Sequence, residues 1–155
     1  MIMTNKHPDD NHAIPLTALL LGVAGLIPFV GTALSILIAP DFLGLGAGLL
    51  HMILVTYAAL IASFLGGVRW GNAMAAIEHQ RREFIIAVMP SLVAWLALAT
   101  PRPYDVMMLI GVFLALGVSD LGLVIKGGAP RWYGTLRVGL TVVAVASLIG
   151  ALFGH

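Results

Sequence analysis

Three residues of this chain could do chemistry in places where ionisable groups are rare. Asp120 is flanked on both sides by apolar sequence, VSDLGLVI. Arg69 and Arg137 sit at the edges of two other apolar runs. A charge at the centre of a membrane costs about 2.5–3.5 kcal/mol on insertion scales, so such a residue is paired, functional or both. An arginine and a carboxylate satisfy each other by charge-assisted hydrogen bonds, in the best case bidentate. The expected arrangement is Asp120 paired with a cation, Arg69 ranking first and Arg137 second. It would serve as a clamp of the fold or as a proton or substrate site.

Other chemistry is thinly represented. There is no cysteine, which excludes disulfides, thiolate metal sites and cysteine nucleophiles. His7, Asp9, Asp10 and His12 in the first residues are too loosely arranged to predict a metal site. His51 stands alone in an apolar run, where a hydrogen-bonded packing role is expected. No metalloprotease, phosphate-loop or nucleophile-elbow motif is present. No catalytic, cofactor or metal residue is assigned, and the chain is not expected to be an enzyme.

The elements that must position these residues follow from composition. The 155 residues are 60% hydrophobic and 10% charged, with a mean hydropathy of +1.03. A soluble domain carries about 25% charged residues to cover its surface. Five runs are long enough to cross a bilayer core about 30 Å thick: 15–39, 44–68, 84–100, 104–125 and 134–153. No alternating strand pattern of a membrane barrel occurs. The predicted fold is an all-α integral membrane protein, a bundle of five transmembrane helices, after a polar cytoplasmic tail at 1–14.

Charge orients the bundle. With the amino terminus cytoplasmic, Lys6, Arg69, Arg81, Arg82, Lys126, Arg131 and Arg137 fall inside and only Arg102 outside. This is the positive-inside pattern, and it puts the carboxyl terminus outside. Trp70, Trp132 and Tyr133 then lie at the cytoplasmic edge, where amphipathic rings belong. The tail contains no arginine and carries Asp9 and Asp10, unlike a mitochondrial transit peptide. The expected address is the bacterial inner membrane. Nothing basic enough for nucleic acid is present.

Glycine is 18 of 155 residues. Ala59, Ser63, Gly67 and Gly71 recur every fourth residue of the second span and predict a shallow packing stripe. Gly44/Gly48 and Gly150/Gly154 repeat the spacing. Such a face packs within one bundle or against a second copy or another membrane protein. Arg69 lies about 200° from Gly67 around the helix, so the second span serves two faces and is expected near the centre of the bundle. Pro28 and Pro90 interrupt the first and third spans and predict kinks.

With these residues in view, the chain resembles the domain of unknown function 3429 family (transmembrane protein 69-like). The resemblance rests on GLIPFVG at Gly25–Gly31, SFLGGVRWG at Ser63–Gly71, and the run from Asp120 through APRWYGTLRVGLT at Ala129–Thr141. It implies the five-helix topology and marks Arg69, Trp70, Asp120, Pro130, Trp132, Tyr133 and Arg137 as motif positions. It implies no activity. The expected function is a non-catalytic accessory, assembly or small-ligand-binding membrane protein without a cofactor. The alternative is a small-solute or proton transporter with Asp120 in its translocation site.

Overall fold

The computed structural model describes residues 13–38, 44–75 and 80–154. The tail through residue 12, the connection 39–43, residues 76–79 with Glu78, and His155 lie outside them. Within lipid every backbone donor and acceptor must find a partner inside its own segment, and runs of Leu, Ala, Val and Ile solve that as helices. Five form: α1 (Leu16–Ile38), α2 (Ala47–Ala75), α3 (Gln80–Leu98), α4 (Tyr104–Ile125) and α5 (Arg131–Leu152). The described residues are otherwise turns and connections.

Four helices, α1, α2, α4 and α5, are long and apolar enough to cross a membrane. α3 has 19 residues but opens on Gln80, Arg81, Arg82 and Glu83, so its apolar stretch begins only at Phe84. The outer surface is apolar, with Leu21, Ile27, Phe64, Trp95, Val118 and Val142 all exposed. In water this would be a large liability; against acyl chains it is the expected surface.

The helices close into a ring in chain order, α1 on α2, α2 on α3, α3 on α4, α4 on α5 and α5 on α1, with α2 also touching α4 across the ring. α1 and α5 run parallel, because Gly22 faces Leu140 near one end and Gly150 faces Leu37 near the other. α2 and α4 also run parallel, since His51 meets Asp105 at their starts and Arg69 meets Asp120 toward their ends. α3 therefore carries the chain back from one end of the bundle to the other, about 28 Å at 1.5 Å per residue.

Between the two polar ends the interior is apolar. Phe29 meets Tyr57 edge-on at 5.2 Å and Phe113 at 5.6 Å between ring centroids. Leu54, Leu109, Leu116 and Leu148 are buried around them. The Tyr57 hydroxyl donates to the Gly25 carbonyl at 2.8 Å, one residue along from Ala24, whose carbonyl loses its helical donor at Pro28. Pro28 and Pro90 both lie inside continuous helices.

The turn between α4 and α5 is a helix stop of defined chemistry. Gly127 has φ +75°. Its N–H donates to Val124 at 3.1 Å, and the N–H of Gly128 donates to Leu123 at 2.9 Å. This is the Schellman pattern, in which a left-handed glycine lets two orphan carbonyls be satisfied. α5 can then fold straight back along α4.

Of the two roles expected for the small-residue stripe of α2, packing within the bundle falls mainly to a neighbouring stripe. Ala59 is buried and Ser63 is half-buried, but Gly67 and Gly71 are exposed, and a methyl group added to either would meet no side chain or other helix within 4 Å. Ala58, Ala62 and Gly66, one position earlier, are all buried. A methyl group on Gly66 would fall 2.5 Å from the Ala87 carbonyl oxygen of α3. One residue rotates a helix face by about 100°, and Arg69 decides which face turns inward. Ala62, Gly66, Arg69 and Ala73 follow the i, i+4, i+7, i+11 spacing of one face. Gly67 and Gly71, on the neighbouring stripe, look outward. Gly66→Leu should therefore lower the thermal unfolding midpoint in detergent, overpacking costing about 1–3 kcal/mol, while Gly67→Leu leaves it unchanged. Scanning fluorimetry of both variants checks the order, and the reverse order contradicts this packing.

Candidate functional site

Asp120 is 2% exposed, on α4. Its Oδ1 accepts a hydrogen bond from Arg69 Nη1 of α2 at 3.2 Å. Its Oδ2 accepts from Arg137 Nε of α5 at 2.6 Å and from the Tyr133 hydroxyl at 3.3 Å. Arg69 Nη2 donates in turn to Glu83 Oε2 of α3 at 3.2 Å. One cluster thus ties four of the five helices together. Both arginines reach Asp120, and Arg137, ranked second from sequence, makes the shorter contact. Neither pairing is bidentate, because each guanidinium takes one oxygen.

Glycines allow this approach. A methyl on Gly134 would come within 3.2 Å of Val124, and one on Gly117 within 3.4 Å of Thr141. α4 and α5 therefore lie close together on both sides of the Asp120–Arg137 contact. Tyr133 and Arg137, four residues apart, share one face of α5. Tyr133, expected as an interfacial ring, turns its hydroxyl into the cluster. Trp70 stays exposed and packs against Phe84 with the rings tilted by 55° and 4.6 Å between centroids. Trp132 packs edge-on to Tyr133 at 6.2 Å.

The buried part of the cluster is not neutral. Arg69 and Arg137 are 5% and 6% exposed and share the Asp120 carboxylate, leaving one surplus positive charge. Glu83 offsets it from the rim, where its side chain is 32% exposed. Arg69 Nε, Arg137 Nη2 and Thr141 Oγ1 are buried with no hydrogen-bond partner among the described residues. Buried donors are nearly always satisfied, so these three mark where the site is open to something else.

Two spaces adjoin the cluster. One, of about 140 Å³, lies between α1, α2, α4 and α5. Gly25, Leu26, Phe29, Ile61, Arg137 and Thr141 are among its walls. Leu21 and Phe64 at its edge are 69% and 66% exposed, so it opens sideways between α1 and α2. The other, about 60 Å³, is lined by Arg69, Asn72, Ala73, Glu83 and Leu123 near the end of α2.

A second polar contact escaped the sequence reading. His51 Nε2 lies 2.5 Å from Asp105 Oδ2 at the opposite end of the bundle. Asp105 Oδ1 also accepts from the N–H of Val106 at 2.7 Å. Asp105 stands in the first turn of α4, where a carboxylate suits any helix, and so drew no notice. Glu83 was hidden within the charged segment expected outside the membrane. Among the described residues, no group of three metal-ligating side chains converges.

Removing one partner from a buried pair strands the other charge, a loss of about 3–5 kcal/mol where burial is complete. Asp120→Asn should be the most damaging change, because it strands Arg137 and leaves Arg69 only Glu83 at the rim. Arg137→Gln should follow, and Arg69→Gln should cost least, since Asp120 then keeps its shorter partner and Glu83 can turn to water. Thermal unfolding of the three variants in detergent checks the order, and equal, small losses would contradict it.

The family described as protein of unknown function (DUF3429) matches residues 14–153. The chain is 38% identical over 142 residues to transmembrane protein 69 of Xenopus tropicalis, covering 89% of this chain and 54% of that protein. It is 28% identical over 144 residues to transmembrane protein 69 of Mus musculus, covering 89% and 56%. The chain thus spans about half the length of the curated relatives it matches. No solved structure matches it. On the strength of a match across nearly all of its five helices, the chain belongs to the DUF3429 family.

Proposed function

We propose that this multi-pass membrane protein is non-catalytic and holds a small amphiphilic ligand in the cavity beside Arg137. The observation that carries the reading is the pair of unpartnered buried groups, Arg137 Nη2 and Thr141 Oγ1, on residues that line an apolar space open to the side. Ligand sites are mostly apolar concavities with a few convergent polar groups, and this one has both parts. A non-catalytic role is supported by Asp120, whose two oxygens are both held by arginine. Neither is free to take a proton from a substrate or to attack one.

The same reading takes α3 as a fifth span. Its support is that α2 and α4 run parallel and are joined at both ends, so the chain must return across the same thickness between them. The positive-inside bias supports a cytoplasmic amino terminus and a carboxyl terminus outside. It holds when the clamped Arg69 and Arg137 are left out, because Lys6, Arg81, Arg82, Lys126 and Arg131 still oppose only Arg102. A bacterial inner membrane is the proposed address.

A second reading is a small-solute or proton transporter with Asp120 in its path. It is favoured by the small space at Arg69 and Glu83, which adjoins the cluster on another side from the lateral cavity. Against it stand Phe29, Leu54, Leu109 and Phe113, buried and apolar across the middle.

Three experiments test these readings. Reporter fusions should place the segment between α2 and α3 in the cytoplasm and the carboxyl terminus outside; a cytoplasmic carboxyl terminus rejects the five-span topology. Purification in mild detergent followed by mass spectrometry of extracted small molecules should recover an amphiphile in molar ratio to protein. Ion or solute uptake by proteoliposomes, lost in a stably folded Asp120→Asn, would favour the transporter instead.

A further inference from the structure

The site says more about its ligand than that it is amphiphilic. The buried part of the cluster carries one surplus positive charge, and the free donors beside it are Arg137 Nη2 and Thr141 Oγ1. Arg137 and Thr141 are four residues apart on α5, hence on one face, and both line the lateral cavity. Glu83, which balances the charge count, sits on Arg69 at the rim, so on the Arg137 side a group that meets both donors is an anion with two acceptor oxygens. The rest of the cavity wall is apolar, from Gly22, Gly25, Leu26 and Phe29 on α1 to Ile61, Phe113 and Ala144.

Size narrows the choice. About 140 Å³ is close to the cavity that holds one benzene in a well-studied engineered case. It takes a small head and the first several carbons of one chain. A branched glycerol carrying two acyl chains does not fit the same space. The remainder of a chain leaves past Leu21 and Phe64, both exposed at the mouth, into the surrounding lipid.

We propose that the cavity binds a single-chain carboxylate amphiphile, with its carboxylate on Arg137 Nη2 and Thr141 Oγ1 and its chain running out between α1 and α2. This rests on the ligand-binding reading above and names the class of ligand. A carboxylate enters the membrane interior here because a guanidinium already desolvated by the protein, and without a full set of acceptors, meets it.

The test is equilibrium binding of labelled oleate to the full-length protein in nanodiscs of zwitterionic phospholipid. Oleyl alcohol, methyl oleate and oleoyl lysophosphatidic acid serve as competitors. Arg137 itself is left intact, because it also holds Asp120. Saturable binding of one oleate per chain is expected, with the alcohol and the ester at least tenfold weaker competitors. Thr141→Val, which keeps the side-chain shape and removes the hydroxyl, should weaken oleate binding by about tenfold without lowering the unfolding midpoint. Gly25→Leu, which pushes a side chain into the cavity from α1, should abolish it. If the alcohol and the ester compete as well as oleate, and Thr141→Val or Gly25→Leu weakens all three, the cavity binds amphiphiles and the carboxylate assignment is overturned. If lysophosphatidic acid competes better than oleate, the head group is a phosphate and the assignment is again overturned. If none of the four binds saturably, the ligand-binding reading falls with it.

Discussion

One carboxylate shared between two guanidinium groups holds this bundle in its arrangement. Asp120 lies on α4, its cations on α2 and α5, and Glu83 of α3 reaches one of them. Between helices in lipid there is no hydrophobic drive, so their association rests on close packing and polar contacts. The cluster supplies the polar part at one end and the His51–Asp105 contact supplies it at the other. The two lie about 22 Å apart along α4 at 1.5 Å per residue. Together they fix α2 parallel to α4, and with that the direction of α3 between them.

Close packing supplies the rest, and glycine makes it geometrically available. Gly66 lets α2 approach the backbone of α3, Gly117 and Gly134 let α4 approach α5, and Gly22 and Gly150 let α1 approach α5. An arginine head group reaches a carboxylate on a neighbouring helix only if the backbones lie near enough. The glycines and the cluster are therefore parts of one arrangement. The unequal charge count inside it, two cations on one anion with Glu83 at the rim, leaves donors unfilled on the side facing the lateral cavity.

Much of this was legible in the residues, for a physical reason. In apolar sequence every charge stands out, because lipid tolerates it only when it is paired. Asp120, Arg69 and Arg137 are conspicuous on that ground alone. Asp105 was not, because a helix start excuses a carboxylate, and its partner His51 is 54 residues away in sequence. Which small-residue stripe of α2 packs inside the bundle was not legible, for a different reason. Two four-residue stripes run along α2 side by side, and spacing cannot choose between them. Arg69 could have chosen, since a buried guanidinium and the tight helix contact lie on one face. The cavity had no signal in any single helix. It forms where four helices meet, beside small residues of α1 and α5, Gly22, Gly25 and Ala144.

The account depends on Asp120 being an ionised carboxylate held by both arginines inside the bundle. The infrared difference spectrum between the wild-type protein and Asp120→Asn, each reconstituted in bilayers, reports that state directly. The account predicts that the substitution removes the stretching bands of an ionised carboxylate. Loss of a protonated-carboxyl carbonyl band instead would mean that Asp120 is neutral, and that neither arginine is its ion-pair partner.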